Sequence, residues 1–234
     1  MEQITIVGAG TMGHGIAQVA AMAGYAAVLV DTQAPVLEKA VASVRSNLEA
    51  GVAKGKVSAD LAEATLLRLK TGTDAAAAAA ESFLVVEAVP ENLELKRNLF
   101  AALDAAAPAE TLLASNTSSL PIGELARATQ RPDRVVGMHF FNPVHIMALL
   151  EIVRGDATSD ETLSRVRQVG EKLGKTCIVV RDVPGFATSR LGVALGLEAM
   201  RMVEAEVASA EDIDLAMTLG YRHPVGPLRL TDLV

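Results

Sequence analysis

The 234-residue chain lacks several features that mark particular protein classes. It contains one cysteine, Cys177, so intrachain disulfides cannot hold it together. Positive charge is scarce: the formal net charge is −7, which argues against general nucleic-acid binding because an acidic chain repels phosphates. Tryptophan is absent, and alanine, the commonest residue, raises the apolar fraction without supplying large core side chains. With 50% hydrophobic residues, the chain is nevertheless too apolar to be disordered.

Long hydrophobic runs are also missing. The apolar stretch from Val19 to Val30 is shorter than the ~20 residues that a membrane-spanning helix needs, and Gly24 interrupts it. The first residues show neither the basic segment of a secretory signal nor the arginine-rich pattern of a mitochondrial leader. We therefore expect a cytoplasmic protein with no membrane partner and no nucleic-acid partner.

What the sequence does contain is an alternation of strand-like and helix-like segments. A β-rich run, a glycine-rich turn, a helix and a second strand follow one another within the first ~30 residues, and the alternation continues to Val180. This order predicts an α/β fold with a Rossmann-type, doubly wound, mostly parallel sheet. Pro35 and Ser58 mark the starts of two helices, which predict a helical hairpin inserted after the second strand.

A glycine-rich loop follows the first strand. In this loop Gly8 permits a tight turn, Gly10 lets the backbone approach a pyrophosphate, and Gly13 lets the helix pack closely on the strand. Thr11 and Met12 lie between them at the start of the helix, where backbone N–H groups attract phosphates. The glycines alone could form an ordinary tight turn, but their place between a strand and a helix predicts dinucleotide binding.

An acidic residue, Asp31, ends the second predicted strand about 20 residues after the loop. Its carboxylate would accept hydrogen bonds from the adenosine ribose hydroxyls and would repel a 2′-phosphate. Thr32 and Gln33 follow it, so no arginine is present there to bind such a phosphate. NAD is therefore the expected cofactor, and NADP is disfavoured.

Polar residues from Ser115 to Ser119 follow another predicted strand. They should lie at the carboxyl edge of the sheet, where ligands bind in folds of this kind. Their hydroxyls and amide could position a nicotinamide and a substrate oxygen. They could equally form a polar turn that caps the helix starting at Ile122, and the residues alone leave both possibilities open.

His139 also ends a predicted strand, and Glu151 lies on the next one. A dehydrogenase that uses no metal needs a base for the hydroxyl proton, and histidine suits that role because its ordinary pKa is ~6.5. A carboxylate partner would orient the imidazole and stabilise its charged form. On chemistry alone, a structural role for this histidine is equally open. No spacing of His, Cys and Asp resembles a metal site, so no metal is expected.

The pattern changes near Pro184, after which only helices are predicted. We place one domain at residues 1–183 and an all-α domain at residues 184–234. Two helices and the start of a third are too few to bury their own apolar faces, so we expect the second domain to be incomplete. Four apolar side chains are expected to pack against a partner subunit or an absent segment: Leu191, Leu195, Met202 and Leu215.

Together these motifs resemble the 3-hydroxyacyl-CoA dehydrogenase family, in particular its bacterial 3-hydroxybutyryl-CoA dehydrogenases. The resemblance runs from residue 4 to the end of the chain. It is carried by the segments 4–31, 85–92, 115–120, 139–143, 184–186 and 212–214. It implies an enzyme of fatty-acid metabolism that oxidises the (S)-3-hydroxyl of an acyl-CoA with NAD, or reduces the 3-ketone in reverse.

The resemblance also implies roles for individual residues. His139 matches the catalytic base, Glu151 its acidic partner, and Ser118 a hydroxyl that binds the C3 oxygen of the substrate near the nicotinamide. Four residues match contacts to the cofactor or within the active site: Glu91, Lys96, Asn116 and Asn142. Asn142 is also expected to contact the substrate, and Lys54, in the helical hairpin, matches a basic contact to CoA.

Two departures from the family pattern affect these expectations. Ser189 stands where an active-site asparagine is usual, so we expect a substrate contact through its hydroxyl. The helical domain of the family, which is also its dimerisation unit, usually continues beyond the position of Val234. A homodimer is therefore expected only if that domain is complete.

Two alternatives stay open. The first is a dehydrogenase of a free hydroxy acid or sugar acid of the gulonate type, against which Lys54 and the hairpin argue modestly. The second is an NAD-binding protein without catalytic activity, because a shortened second domain could leave the chain inactive.

Overall fold

The structure of the protein is a computed structural model, and it describes residues 1–233. The chain divides into two compact units, Met1–Asp182 and Val183–Val234. This division lies one residue before the boundary placed between residues 183 and 184 from the sequence. Each unit has its own secondary structure and is described by itself.

The first unit is built on one sheet, which contains all eight strands found among residues 1–233. The strands are β1 (Gln3–Val7), β2 (Ala26–Val30), β3 (Leu69–Gly72), β4 (Leu84–Glu87), β5 (Leu112–Ser115), β6 (Val135–Phe140), β7 (Leu149–Arg154) and β8 (Thr176–Arg181). Their order is β3-β2-β1-β4-β5-β6-β7-β8. Neighbours are parallel from β3 to β6, β7 is antiparallel to β6, and β8 is parallel to β7. The predicted mostly parallel, doubly wound sheet is confirmed.

Seven α-helices belong to the first unit. They are α1 (Thr11–Met22), α2 (Ala34–Ala53), α3 (Ala59–Arg68), α4 (Ala75–Ala79), α5 (Leu93–Ala106), α6 (Ile122–Ala126) and α7 (Asp160–Lys172). Side chains of Ser58, Asn92 and Ser159 accept hydrogen bonds from backbone N–H groups in the first turns of α3, α5 and α7. These caps satisfy N–H groups that have no partner within the helix, and they determine where the three helices begin. Within residues 1–233, no helix is long and apolar enough to span a bilayer.

The strand order reverses between β1 and β4, and glycines bring the backbone close together at that point. In a sheet of this kind, the loops that leave the two strands diverge and form a crevice. Gly8 has a φ of +103°, and a Cβ there would lie 2.5 Å from the carbonyl oxygen of Ala88, just after β4. A Cβ on Gly13 would overlap the carbonyl oxygen of Gly8. The start of α1 is therefore packed directly against the turn that follows β1.

Small residues let α1 lie close to the sheet. Ala17, Ala20 and Ala21 are fully buried in the core, together with Ile16. Side chains this small fill the narrow space between a helix and a sheet at native packing density. Part of the high alanine content therefore serves close layering of helix and sheet.

The run of alanines over residues 75–80 predicts a short helix on the surface, and for part of it this prediction is wrong. Ala79 is fully buried. The carbonyl oxygen of Ala78 accepts hydrogen bonds from Nε2 of Gln3 and Oγ of Ser82, each at 2.9 Å. These bonds attach α4 to the start of β1, which the alanine pattern alone could not indicate.

The predicted helical hairpin is formed by α2 and α3. The first helix continues to Ala53, and α3 ends at Arg68 because the chain then pairs with β2 as strand β3. Asn47 of α2 donates a hydrogen bond from Nδ2 to Oε1 of Gln18, a buried residue of α1, at 3.1 Å. The hairpin is thus anchored on the helix that follows the glycine loop.

The second unit is helical. Its helices are α8 (Thr188–Glu204), α9 (Ala210–Gly220) and α10 (Pro227–Leu233). Ser209 caps α9, because its Oγ accepts a hydrogen bond from the N–H of Asp212 at 3.1 Å. The carboxylate of Asp214 accepts hydrogen bonds from the N–H groups of Leu228 and Arg229, at 2.8 and 3.0 Å. This carboxylate caps the start of α10 and attaches it to α9.

Apolar side chains of α8 and α9 differ in their exposure. Leu191 and Leu215 are 71% and 52% exposed, whereas Leu195 and Met202 are half-buried by this chain itself. Two of the four therefore already have part of their surface covered, and packing of these side chains against a partner subunit or an absent segment stays a prediction.

The close packing at the start of α1 gives a stability prediction. We expect Gly13→Ala to lower the free energy of unfolding by about 3 kcal/mol, because its Cβ would overlap a backbone oxygen that cannot move without shifting β1. Gly10→Ala is the matched control. A Cβ there meets nothing within 4 Å, so we expect a cost below about 1 kcal/mol. Urea unfolding followed by circular dichroism measures both, and equal stabilities would contradict the close packing.

Candidate active site

The glycine loop lies at the edge of the sheet where β1, β2, β4, β5 and β6 have their carboxyl ends. Gly10 and Thr11 are exposed, Met12 is half-buried, and the space where a Cβ of Gly10 would stand is open. Because α1 begins at Thr11, backbone N–H groups without a partner in the helix lie at this open surface. The loop therefore combines an open approach with the positive end of a helix, as a pyrophosphate requires.

Asp31 lies beside this loop, directly after β2. Its Oδ2 accepts a hydrogen bond from the N–H of Ala9 at 2.9 Å, and its Oδ1 accepts one from the N–H of Gln33 at 3.0 Å. Each carboxylate oxygen can accept a second hydrogen bond, which ribose hydroxyls could donate. The donors and acceptors at this half of the edge fit NAD, since a fixed negative charge would oppose a 2′-phosphate.

The loop after β5 is shaped by its own hydrogen bonds. The hydroxyl oxygen of Thr117 accepts hydrogen bonds from the N–H groups of Ser119 and Leu120, at 3.2 and 2.9 Å. The N–H of Thr117 donates in turn to Oγ of Ser115 at 3.2 Å. Ser115 and Thr117 are buried, whereas Ser118 between these bonded residues is exposed. The loop thus presents the Ser118 hydroxyl on a fixed backbone.

Asn116 connects this loop to the neighbouring strand. Its Oδ1 accepts a hydrogen bond from the N–H of Phe140, at the end of β6, at 3.0 Å. The alternative that these polar residues cap α6 is wrong, because Pro121 precedes that helix and contributes no side-chain cap. The segment is a polar turn that satisfies its own backbone at the ligand-binding edge of the sheet.

The predicted base and its acid are brought together by β6 and β7. His139 and Glu151 are direct cross-strand partners in the antiparallel register, and both are buried. Nδ1 of His139 lies 2.7 Å from Oε2 of Glu151. The ring of Phe141 packs against the imidazole, with 4.5 Å between the ring centroids. With Nδ1 bonded to the carboxylate, Nε2 is the ring atom suited to exchange a proton with a substrate.

The loop after β6 packs on α1. A Cβ on Gly15 would lie 2.9 Å from Cβ of Val144, so glycine is needed for this approach. Lys175 donates from Nζ to the carbonyl oxygens of Val144 and of Met147, the latter at 2.8 Å. Burial lowers the pKa of Lys175. These contacts fix the loop beside α1, and Asn142 is exposed at its beginning.

A buried ion cluster joins β4 to α5. Nζ of Lys96 lies 2.7 Å from Oε1 of Glu87 and 3.0 Å from Oε2 of Glu91. Burial tends to raise the pKa of Glu91, but hydrogen bonds from Thr117 and Lys96 outweigh it and hold this pKa below its ordinary value. The side chain of Glu91 is 40% exposed, so it offers a carboxylate at the edge of the sheet.

Lys96, predicted as a contact to the cofactor or within the active site, has a side chain that is 1% exposed. Its ammonium group contacts Glu87, Glu91 and the carbonyl oxygen of Val89. Through Glu91, which is partly exposed, it is connected to the edge of the sheet. Glu87 was not identified from the sequence as a site residue, and neither was the role of Thr117 within residues 115–119. The available signal was a charged residue at the end of the apolar strand β4, nine positions before a lysine.

Two predicted substrate contacts lie outside these hydrogen-bond networks. Lys54 is the exposed residue that ends α2. Ser189 is half-buried in the first turn of α8 and belongs to the second unit. In the part of the chain that the structure describes, no three His, Cys, Asp or Glu side chains are grouped so that they could hold a metal ion.

The glycine loop, the acidic residue after β2 and the buried His–Glu pair define a class of protein, the NAD-dependent oxidoreductases. Family comparison identifies the family within that class. The model described as "3-hydroxyacyl-CoA dehydrogenase, NAD binding domain" matches residues 3–183, and "3-hydroxyacyl-CoA dehydrogenase, C-terminal domain" matches residues 185–234. The chain belongs to the 3-hydroxyacyl-CoA dehydrogenase family, which confirms the resemblance noted above and NAD as the cofactor.

Individual relatives agree with this assignment. The chain is 45% identical to a mitochondrial hydroxyacyl-coenzyme A dehydrogenase of Sus scrofa, over 100% of this chain and 76% of that protein. It is 42% identical to a probable 3-hydroxybutyryl-CoA dehydrogenase of Bacillus subtilis, over 100% and 81%. Among solved structures, an (S)-3-hydroxybutyryl-CoA dehydrogenase of Ralstonia eutropha superposes with a TM-score of 0.96 at 41% identity, covering 100% and 82%.

The hydrogen bonds to Glu91 give a prediction about its titration. We expect Thr117→Val to raise the pKa of Glu91, because the Thr117 hydroxyl is the leading contribution that lowers it. A carbon-detected NMR titration of the Glu91 carboxyl measures the shift. Ser119→Ala is the control and should have a smaller effect, since its hydroxyl lies 3.3 Å from the carboxylate.

The same bond predicts the pH dependence of stability. Because the pKa of Glu91 is lower in the folded chain than its ordinary 4.5, the stabilisation is complete above pH 4.5 and is lost as the pH falls through the folded value. The difference in unfolding free energy between wild type and Thr117→Val should therefore shrink in acid. A difference that stays constant from pH 7 to pH 3 would contradict the assignment.

Proposed function

We propose that this chain catalyses the NAD-dependent oxidation of (S)-3-hydroxyacyl-CoA to 3-ketoacyl-CoA, or the reverse reduction. The buried pair of His139 and Glu151, 2.7 Å apart at the carboxyl edge of the sheet, carries the proposal. Oxidation of an alcohol without a metal requires such a base. Relatives named for hydroxyacyl-CoA and 3-hydroxybutyryl-CoA support the substrate class and favour short acyl chains.

His139 removes the proton of the 3-hydroxyl at Nε2. In this reaction the O–H and C3–H bonds of the substrate break and a C=O bond forms, with two electrons leaving C3 as a hydride. When bound, NAD supplies the hydride acceptor. Glu151, which accepts the Nδ1 hydrogen bond, holds the ring orientation and stabilises the positive charge that the imidazole gains. In the reverse direction His139 returns the proton to the 3-oxygen.

Ser118 binds the 3-oxygen of the substrate. Its hydroxyl is exposed at the same edge, between the anchored residues Thr117 and Ser119, and can donate a hydrogen bond to that oxygen as charge develops on it. Asn116, Asn142 and the Glu91 carboxylate offer amide and carboxylate groups for the nicotinamide half of the cofactor. Ser189 is proposed as a further polar contact to the substrate.

Lys54 is proposed to bind a phosphate of CoA. It stands exposed at the end of α2, in a chain of net charge −7, so a phosphate-bearing handle needs a local cation of this kind. The hairpin that carries Lys54 is anchored on α1 through Asn47 and Gln18. Its position therefore depends on the helix that begins at the glycine loop.

The helical unit is proposed to mediate a homodimer, in a protein located in the cytoplasm. Exposed apolar side chains on α8 support the first part of this proposal, because large apolar patches on a surface mark interaction sites. Leu191 is 71% exposed and Val193 is 62% exposed. A second helical face that buried them would remove this apolar surface from water.

The central experiment is reduction of acetoacetyl-CoA, followed by the loss of NADH absorbance. We expect turnover by the wild type, a loss of about 10³-fold in kcat for His139→Gln, and a loss of about 10²-fold for Glu151→Gln. NADH binding, measured by fluorescence, should persist in both variants. His223→Gln is a matched histidine replacement in the second unit and should retain turnover.

The same assay separates the alternatives. Reduction of free acetoacetate or oxidation of sugar acids in preference to the CoA ester would favour the free-acid dehydrogenase. NADH binding without turnover of any of these substrates would favour a non-catalytic protein. Full turnover by His139→Gln would contradict the assignment of the base.

Recognition of CoA gives a separate prediction. Lys54→Ala should raise KM for acetoacetyl-CoA about threefold and leave kcat unchanged, because one exposed ion pair is worth less than ~1 kcal/mol. The increase should disappear at high salt. Lys56→Ala removes the same charge two residues away in the same exposed turn and is the control. Equal effects of both variants would indicate general electrostatic attraction instead of a defined contact.

A further inference from the structure

One buried carboxylate connects the proposed cofactor contact, Glu91, with the proposed substrate contact, Ser118. Glu87, at the end of β4, is fully buried and accepts three hydrogen bonds. Its Oε1 accepts from the N–H of Val89 and from Nζ of Lys96, both at 2.7 Å. Its Oε2 accepts from Oγ of Ser115, at the end of β5, at 2.6 Å. The carboxylate therefore contacts the segment after β4, the first turn of α5 and the end of β5 at the same time.

On the cofactor side, Glu87 acts through Lys96. The ammonium group shares its contacts between Oε1 of Glu87 and Oε2 of Glu91, at 2.7 and 3.0 Å. Glu91 is the partly exposed end of this chain of contacts and offers its carboxylate to the edge of the sheet. The position of Glu91 thus depends on where Glu87 holds the ammonium.

On the substrate side, Glu87 acts through Ser115. With its hydroxyl proton donated to Glu87, Ser115 Oγ accepts the N–H of Thr117. The Thr117 hydroxyl donates a hydrogen bond to Oε1 of Glu91. Its oxygen accepts hydrogen bonds from the N–H groups of Ser119 and Leu120, which follow Ser118 in the chain. The hydrogen bonds form a closed circuit from Glu87 through Lys96, Glu91 and Thr117 to Ser115 and back.

Stability is a weak reason for such a cluster. Taking the Glu87 carboxylate and the Lys96 ammonium out of water is costly, and an apolar replacement of equal volume is often as stable. The circuit also restricts the side-chain conformations of its residues, because each donor has a defined acceptor. Its geometry is therefore suited to fixing Glu91 relative to Ser118.

We propose that Glu87 is a positioning residue that aligns the Glu91 carboxylate and the Ser118 hydroxyl with each other, and so couples cofactor binding to substrate binding. The roles of Glu91 and Ser118 rest on the function proposed above. An amide in place of the carboxylate removes the negative charge beside Lys96 and turns one of the two acceptor positions into an NH2 donor, so at least one of the donors now bound to Glu87 loses its acceptor.

The test compares Glu87→Gln with Asp104→Asn. Asp104 is a matched control in the same unit, because it is also a buried carboxylate, with Arg131 Nε at 2.6 Å and the N–H of Gln130 at 2.8 Å. Three quantities are measured: the NADH Kd by fluorescence, kcat and KM for acetoacetyl-CoA, and the midpoint of urea unfolding. We expect Glu87→Gln to raise the NADH Kd and to lower kcat, each at least tenfold. We expect Asp104→Asn to lower only the unfolding midpoint, with both functional constants within twofold of wild type.

Two further variants, Glu87→Asp and Ser115→Ala, test the proposal independently of Glu87→Gln. Glu87→Asp retains the charge and should recover most of the cofactor affinity lost in Glu87→Gln. Ser115→Ala removes the link from Glu87 to Thr117 but keeps the contacts of Lys96 with Glu87 and Glu91, so it should lower kcat several-fold and leave the NADH Kd within twofold. Should Glu87→Gln fail to fold, these two variants decide the proposal.

Several outcomes would overturn the proposal. One is a Glu87→Gln variant that loses stability as Asp104→Asn does but keeps both functional constants within twofold. Another is a Ser115→Ala variant with wild-type kcat. The NADH Kd needs no turnover, so a wild type that binds NADH without reducing acetoacetyl-CoA would refute the proposed function alone. In that case the role of Glu87 on the cofactor side would still be decided by the binding measurement.

Discussion

Parallel pairing of β1 with β2 on one side and with β4 on the other is the constraint on which the site depends. It sends the ends of these three strands to one edge of the sheet and forces their following loops apart. The backbone approach at Gly8, 2.5 Å from the Ala88 carbonyl for a hypothetical Cβ, is possible only because no side chain stands there. Asp31, Glu87 and Ser115 are the last residues of their strands or the first after them. The Asp31 carboxylate reaches the loop after β1, and the Glu87 carboxylate reaches Ser115 on the neighbouring strand, because parallel strands end together.

The antiparallel direction of β7 brings Glu151 to the same edge of the sheet as His139. A parallel neighbour of β6 would have to enter from the opposite edge, after a crossover that includes a helix. By reversing direction, β7 begins at the ligand-binding edge, so its third residue, Glu151, stands opposite His139. The connecting loop, residues 141–148, then remains at that edge and carries Asn142. Base, acid and a polar loop residue are therefore contributed by one hairpin-like segment, whose loop Lys175 secures through backbone carbonyls.

Much of this fold could be predicted from the sequence because local signals agree with the global arrangement. The helix α5 (Leu93–Ala106) is an example, since Asn92 caps it and its apolar residues recur with helical spacing. Burial of polar groups could not be predicted in the same way. Lys96 lies one turn into that helix, where a lysine is usually solvated, and only the fold brings Glu87 within 2.7 Å of it. The hydrogen bond from Thr117 to Glu91 likewise joins segments 26 residues apart. The order of the strands in the sheet determines which side chains come into contact at the strand ends. No local sequence pattern predicts these contacts.

The bond between Asp31 and Ala9 has a consequence for how this protein could evolve. Substitution of Asp31 to admit a phosphorylated ribose would also remove the acceptor of the Ala9 N–H at 2.9 Å, and with it a support of the glycine loop. The second oxygen supports Gln33 in the same way. A change of dinucleotide preference at this position therefore also acts on the support of the glycine loop, and a replacement side chain keeps that support only if it still offers an acceptor to these N–H groups.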